Sequence, residues 1–501
     1  MHLPLALVAD RATEHPHDVP FRRPGGASLS YAAWVAAARG LRDVLLDELR
    51  LTQGDRVLLI FDRDAWLEYP VAYVAALAAD VTVVNAHGED DLKTVQDLQQ
   101  LLRTVVILAA GRRSIGLARQ LGQYYEIDID ALRMRKTADR PFPQRPASSV
   151  AEILVTSGTT GPPKAVGVTQ ADLESALRPP VEAPSDALAD QSTFVHHIMP
   201  GTQAAQRVLL QAMRSNKLTS IGVRSLGTGE FLATVRANAA SFIGLVPLTA
   251  RKLVRQCRQD GVLLPTVRWV SVGSAHVPPR LLDDLAHLCP SAVVMNMYGL
   301  TEAGVARIRS SHPGRPGALG TPAPGTSVEV RDDQGQPVPS GVPGDLWIRA
   351  SNPSRCYVDD PEMTAQVFRD GWVRTGDVAR IDEDGYVYVA GRRSELICLD
   401  GITVSPDEIE DCLLEHELVS DASVYGVPTP GGHECLVVAV VVTNSGMPPS
   451  AVSEQALLRH CHQHLPSEQV PEEFVWLAGL PVGQFGTVQK RELRRQHLAR
   501  P

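Results

Sequence analysis

The chain has no cysteine pair at C-x-x-C spacing, and its seven cysteines are scattered. That gives no disulfide framework and suits a reducing compartment. No apolar run approaches membrane-spanning length. The start, Met1-His2-Leu3-Pro4, lacks a charged region followed by an apolar one, so a cytoplasmic protein with no membrane partner is expected. Positive charge is also short: 48 Lys and Arg against 57 Asp and Glu leave a net charge of -9. No global field then draws the chain to nucleic acid, and no nucleic-acid partner is expected. Internal repeats and low-complexity segments are missing too. What is present is an ordinary globular composition, 44% hydrophobic and 21% charged. At 501 residues it exceeds a single core, which implies at least two domains.

The pattern along the chain is mixed. Residues 30–49 carry apolar side chains at helical spacing, 56–61 form an apolar strand, and 67–79 continue as a helix. Further apolar strands follow at 81–85 and 104–109. Such β/α alternation predicts a largely parallel sheet with helices on its faces. From about residue 325 short alternating segments, 327–330, 344–348 and 385–389, are separated by Asp-Gly and Pro-Gly turns, which is the pattern of antiparallel hairpins. The last stretch predicts helix 406–415, strands 422–427 and 435–443, helix 452–464 and strand 474–477. A segment of that length can fold as a small α+β domain.

Four segments carry chemistry. Ile153-Leu154-Val155 leads into Thr156-Ser157-Gly158-Thr159-Thr160-Gly161-Pro162-Pro163-Lys164. Glycines and hydroxyls after a buried strand can turn N–H and O–H groups toward phosphate oxygens. The Walker spacing G-x-x-x-x-G-K-[ST] is absent, and a plain surface loop is the competing reading. Second, Asn296-Met297-Tyr298-Gly299-Leu300-Thr301-Glu302 offers a ring to stack on a purine, a hydroxyl for phosphate and a carboxylate for Mg²⁺. A strand end followed by a helix capped by Thr301 competes equally. Third, Arg374-Thr375-Gly376-Asp377 places a carboxylate after a turn, either for ribose hydroxyls or as an Asx turn. Fourth is Gly391-Arg392-Arg393-Ser394-Glu395-Leu396-Ile397, followed by Gly401.

In this order, and with Gly273-Ser274-Ala275 and residues 480–493, the segments resemble the adenylate-forming superfamily, in its acyl-CoA ligase branch. The resemblance spans nearly the whole chain. It implies an α/β and α+β multidomain protein. The large N-terminal domain, residues 1–392, would hold two helix-flanked sheets and a small β-barrel-like subdomain near 320–390. A small mobile α+β domain, 393–501, would turn about Ser394. It also implies an enzyme that joins ATP and a carboxylic acid as an acyl-adenylate, then transfers the acyl group to a thiol. The adenylate or AMP would lie among Thr156, Ser157, Gly158, Thr159, Thr160, Gly161, Gly273, Ser274, Ala275, Asn296, Met297, Tyr298, Gly299, Asp377 and Arg392. Lys164, Thr301 and Glu302 would act in catalysis, Glu302 as the Mg²⁺ ligand, and Gly401 would border the CoA tunnel.

One departure from the family pattern dominates. The closing motif reads roughly Leu-Pro, four residues, Gly-Lys in the family, and Leu480-Pro481-Val482-Gly483-Gln484-Phe485-Gly486-Thr487 here. Thr487 therefore stands at the lysine position, while Lys490 fills the motif's own later basic position. The resemblance gives that lysine an electrostatic role, bridging substrate carboxylate and α-phosphate as charge develops. Losing one such donor costs about 100- to 1000-fold in rate. A threonine hydroxyl is neutral and its stem is short. Adenylation should be crippled and thioester formation spared; an engineered trap or rescue by another cation are the alternatives.

For the acyl group, Phe194-Val195-His196-His197 lacks the Asp with which amino-acid-activating relatives hold an ammonium. His196 or His197 would face the carboxyl end, against the reading of either as a packed core histidine. Phe242-Ile243-Gly244 supplies an apolar wall, so the acid is expected to have a bulky apolar body. The chain looks similar to non-adenylating acyl-CoA ligases of bacterial antibiotic pathways, the platensimycin and platencin diterpenoid type. Its implied partners are an acyl-adenylate, CoA and a separate adenylating enzyme, with ATP and Mg²⁺ as further cofactors. A full two-step ligase, an amide synthetase and a non-catalytic adenylate-binding scaffold are the alternatives; Glu302, Asp377 and Arg392 argue against the scaffold.

Overall fold

The helix Glu68–Ala78 reads EYPVAYVAALA, apolar on every side after its first turn. A helix without a polar face must be covered all round. In the computed structural model Tyr69, Val71, Tyr73 and Leu77 are wholly buried in one core shared with strands of two large sheets. Beside it runs the helix Tyr31–Asp43, opened by Ser30, whose hydroxyl accepts the Ala33 N–H at 3.3 Å. Such a cap contributes about 1 kcal/mol. The buried Trp34 indole donates to the Pro70 carbonyl at 2.8 Å and ties the two helices together. The structure describes residues 3–156, 164–177, 191–224, 227–311, 314–351, 355–399, 402–428, 434–442, 451–483 and 486–499.

Six strands of a nine-stranded sheet are parallel: Val293–Tyr298, Trp269–Gly273, Phe242–Leu245, Ser192–His196, Leu218–Gly222 and Phe21–Arg22, in that order. A seven-stranded sheet has Val150–Thr156, Thr82–His87, Arg56–Phe61, Val106–Ala110 and Tyr124–Glu126 parallel, flanked by an antiparallel Lys164–Thr169. The largely parallel expectation holds for both interiors. The alternating segments after residue 325 form a five-stranded antiparallel sheet around Gly344–Ala350 and Trp372–Ile381. Beyond it, Val419–Pro428, Glu434–Val442 and Glu473–Leu477 form a three-stranded sheet packed with helices Pro406–Glu415 and Ala451–His464. The core of the antiparallel sheet ends at Val387, and the next core starts at Ile397. Among the described residues no helix is long and apolar enough to cross a membrane.

Candidate active site

Parallel strands bring their carboxyl ends to one edge, which is where open α/β sheets take ligands. Here His196, Leu245, Gly273 and Tyr298 end neighbouring strands. A cleft of about 2340 Å³ opens there, lined by Thr156, Lys164, His197, Phe242, Gly244, Gly273, Ser274 and Ala275. Asn296, Met297, Tyr298, Gly299, Thr301, Glu302, Asp377, Arg392, Ser394 and Thr487 complete the wall. Gly273 needs to be glycine: a Cβ there would stand 2.2 Å from the Met297 carbonyl oxygen of the paired strand. The flat backbone left by Gly273–Ala275 is a surface against which a planar ring fits.

At one end of the cleft Asp377 is almost buried, at 4% exposure. Arg392, its cross-strand partner, holds one carboxylate oxygen at 3.0 Å, and the Tyr298 hydroxyl donates to the other. Burial raises the Asp377 carboxyl above its ordinary range against the pull of Arg392 and Tyr298. Burial likewise raises the Tyr298 phenol, and the Asp377 charge adds to it. The arrangement is a fixed carboxylate able to accept hydroxyl hydrogen bonds.

Further along, Thr301 and Glu302 lie on a single 3₁₀ turn, Thr301–Ala303. Arg355, 8% exposed, donates to the Thr301 carbonyl and to Gln203 Oε1. The Tyr357 hydroxyl donates to Glu302 Oε1 at 2.9 Å, and Lys164 Nζ sits 5.3 Å from the centre of the same ring. Tyr357 thus joins the two groups expected to flank a triphosphate. Neither Arg355 nor Tyr357 belongs to a segment singled out from the sequence. The available signal was the helix start at Asp360-Pro361, which places Tyr357 just ahead of a cap. Arg307 was missed as well: it lines the cleft, and burial with Arg309 alongside brings its guanidinium down to about 10.

Thr487 reaches the cleft from the other module. The Gly483 N–H donates to the Thr487 carbonyl at 2.8 Å, and Gly486, with φ of 74°, turns the chain. A Cβ on Gly486 would stand 3.0 Å from Val246, so the hairpin seats directly against the end of the strand Phe242–Leu245. Lys490 also lines the cleft, but its ammonium is held by carboxylates: Glu410 lies 2.9 Å away, with Asp407 and Glu395 both at 3.7 Å. Burial pulls the Lys490 ammonium down, but these carboxylates raise it above its ordinary range. The module is also pinned by Arg251 to Asp421 at 2.5 Å and by His276 to Asp411 at 2.9 Å.

His196 does not join the cleft, which corrects its expected place in the acyl pocket. Its Nδ1 accepts the Ile198 N–H at 3.1 Å, so Nε2 donates to the Ser220 hydroxyl at 2.7 Å. Trp66 and Phe194 close over the ring, and burial brings it down to about 3, a neutral core histidine. His197 lines the cleft and stacks on Phe231. Ser157, Gly158, Thr159, Thr160, Gly161 and Gly401 lie outside the described residues, although the Thr156–Lys164 pair that flanks the first five is antiparallel and in register.

The fold recurs in MatB from Rhodopseudomonas palustris, solved with ATP bound, at a TM-score of 0.84, with 24% identity and 99% of each chain covered. An O-succinylbenzoate coenzyme A synthetase from Bacillus subtilis, solved with AMP, gives 0.82, 20% identity and coverage of 97% and 98%. By sequence, a sulfoacetate–CoA ligase from Cupriavidus necator is 30% identical over 73% of this chain and 70% of its own length. A feruloyl-CoA synthase from Amycolatopsis is 28% identical over 97% of both. The AMP-binding enzyme model matches residues 8–358, and the model of the AMP-binding enzyme C-terminal domain matches 408–484. The chain belongs to the AMP-binding enzyme family.

Proposed function

We propose that the chain is an acid–thiol ligase that converts an acyl-adenylate and CoA to acyl-CoA and AMP, with its own adenylation step impaired. The CoA ligases among its relatives support the reaction class. The proposed step balances: the CoA thiolate adds to the acyl carbonyl, the acyl–phosphate bond breaks, and AMP leaves with the electron pair. Asp377 would accept the ribose hydroxyls, sharing or displacing its contacts with Tyr298 and Arg392. Adenine would lie on the Gly273–Ala275 backbone, and Thr301 would meet the phosphate. Where ATP is bound, Glu302 would hold the Mg²⁺ that bridges its phosphates. Phe242, Gly244 and His197 support an acid with a bulky apolar body.

The single observation that carries the reading is the pair Thr487 and Lys490: a neutral residue on the returning arm of the hairpin, lining the cleft, and the neighbouring cation held by three carboxylates. A partner enzyme would then supply the adenylate, as in the diterpenoid pathways the sequence resembles. Ser394 is the proposed pivot between residues 1–392 and 393–501. It stands between Arg393, anchored to the buried Asp345 at 2.5 Å, and Glu395, which faces Lys490. Supplying ATP and CoA with candidate acids, and separately a synthetic acyl-adenylate with CoA, tests the reading: acyl-CoA should form only in the second mixture.

A second reading, a full two-step ligase, is favoured by Arg307. Among the described residues no carboxylate pairs with it, and it lies beside Gly299 in the cleft. It would supply the missing charge, and an Arg307→Gln variant that abolished adenylation would decide for it.

A further inference from the structure

Away from the cleft, the helices Pro406–Glu415 and Ala451–His464 pack side by side, with Cys412 and Cys461 buried in the core they share. Where they meet, the Cys412 sulfur, one ring nitrogen of His460 and one of His464 all lie within 4.8 Å of one another. His460 and His464 are four residues apart on one helix and so stand on one face. Cys412 faces them from the other helix.

The hydrogen bonds fix the tautomer of each ring. His460 Nε2 lies 2.9 Å from the Cys412 carbonyl oxygen, and His464 Nδ1 lies 2.8 Å from the His460 carbonyl oxygen. A carbonyl only accepts, so both nitrogens carry protons, and each neutral ring keeps a lone pair on its other nitrogen. Metal-ligating histidines are held in this way, one N–H fixed by a backbone oxygen and the opposite nitrogen free to bind. Cys461 is buried with Cys412 in the same core. His416 packs against His460 at 5.2 Å between ring centres, but its Nδ1 accepts the Leu418 N–H.

We propose that Cys412, His460 and His464 bind a borderline divalent cation, Zn²⁺ first, with water in the fourth position. One thiolate and two imidazoles suit zinc or cobalt and disfavour magnesium and calcium, which seek oxygen. Bonds of about 2.3 Å to sulfur and 2.0–2.1 Å to nitrogen put tetrahedral ligand atoms about 3.4–3.6 Å apart. The trio therefore closes by roughly 1 Å, a rotation that the exposed His464 can supply. On binding, the Cys412 thiol proton leaves to solvent and the sulfur–metal bond forms. The site clamps the two helices directly behind Asp411, which pairs with His276, and beside Glu415, whose carbonyl accepts from Arg280 at 2.9 Å.

The test uses the full chain, chelator-treated and kept reduced by a phosphine, titrated with Co²⁺ and then Zn²⁺. One equivalent of Co²⁺ should produce a thiolate charge-transfer band in the near ultraviolet and visible bands of a four-coordinate ion. One proton should be released, and one equivalent of Zn²⁺ should remove the colour. Cys412→Ser should abolish the charge-transfer band. His464→Ala, a change on the surface that leaves the fold intact by circular dichroism, should weaken Zn²⁺ binding about tenfold or more. His462→Ala, an exposed neighbour on the same helix, should leave it unchanged. Absence of the band in the unmodified chain, its survival in Cys412→Ser, or equal losses in His464→Ala and His462→Ala would each overturn the proposal.

Discussion

Replacing Thr487 by lysine adds one positive charge on a hairpin arm that lines the same cleft as Lys164, Thr301 and Glu302. The hairpin needs no rebuilding, because its turn is made by Gly486 and by backbone bonds from Gly483, not by the threonine hydroxyl. A preorganised donor aimed at developing charge is worth about 2.7–4 kcal/mol, or 100- to 1000-fold. The native Lys490 cannot provide the same gain by swinging over. Leaving Glu410, Asp407 and Glu395 would strand buried charge, at a cost of about 3–5 kcal/mol, which cancels the benefit. ATP–pyrophosphate exchange by Thr487→Lys should therefore rise by about two to three orders of magnitude. Thioester formation from a synthetic adenylate and CoA should change by less than about tenfold, since that step makes no use of the added cation. Brisk exchange by the unmodified protein, undiminished by Arg307→Gln, would refute the charge argument. So would a lysine variant that binds the acid and gains nothing.

Asp377→Ala should weaken binding of a non-hydrolysable acyl-adenylate analogue by at least tenfold in calorimetry, because hydrogen bonds to a charged group contribute about 1.5–3 kcal/mol each; unchanged affinity would remove the ribose from this end of the cleft. His276 carries a pH prediction. Burial lowers it, but the hydrogen bond and charge of Asp411, with Asp407 and Glu410, raise it to about 9. Its imidazolium thus stabilises the docked arrangement fully below its ordinary pKa of about 6.5, and the contribution is lost as pH rises through about 9. A fluorescent distance pair across the two modules should report loosening over that range, and Asp411→Asn should flatten the profile. Gly244→Ala places a Cβ 2.9 Å from the Phe194 ring, so the ring must shift; turnover of bulky acyl-adenylates should fall more than that of small ones, and equal falls would take Gly244 out of the acyl pocket.

Segments whose period matched their burial were legible before any coordinates. The strand Arg56–Phe61 and the helix Pro406–Glu415 fall at their expected positions, because an unbroken apolar run and an amphipathic repeat report the local environment directly. The strand that ends at Thr156 was legible from its apolar run Ile153-Leu154-Val155, while the returning strand Lys164–Thr169 and the pairing of Asp377 with Arg392 appear only in the structure. His196 was not. Its cover is Trp66, whose ring fills the space a Cβ on Gly222 would need, and no local signal links residues so far apart in the chain. Tyr357 and Arg355 were missed for the same reason: each acts through Glu302 or Thr301, which only the fold brings near.

Thr487 is the instructive case, because the resemblance puts it at the family's lysine position but cannot say whether that difference matters. A basic residue three positions on could have replaced it if it were free. Its freedom is decided by Glu395, beside Ser394, and by Asp407 and Glu410 on the helix Pro406–Glu415. One of these, Asp407, lies in the first turn of the helix Pro406–Glu415, where acidic residues are favoured by the helix dipole in any protein. Only packing turns the three into a cage for Lys490. The same cage makes the reasoning testable in reverse. Glu410→Gln removes the nearest of the three charges and loosens the restraint on Lys490. If Lys490 could serve adenylation, that variant should gain pyrophosphate exchange without any change at Thr487. No gain is expected, since two carboxylates still hold the ammonium and its stem starts on a helix behind the hairpin.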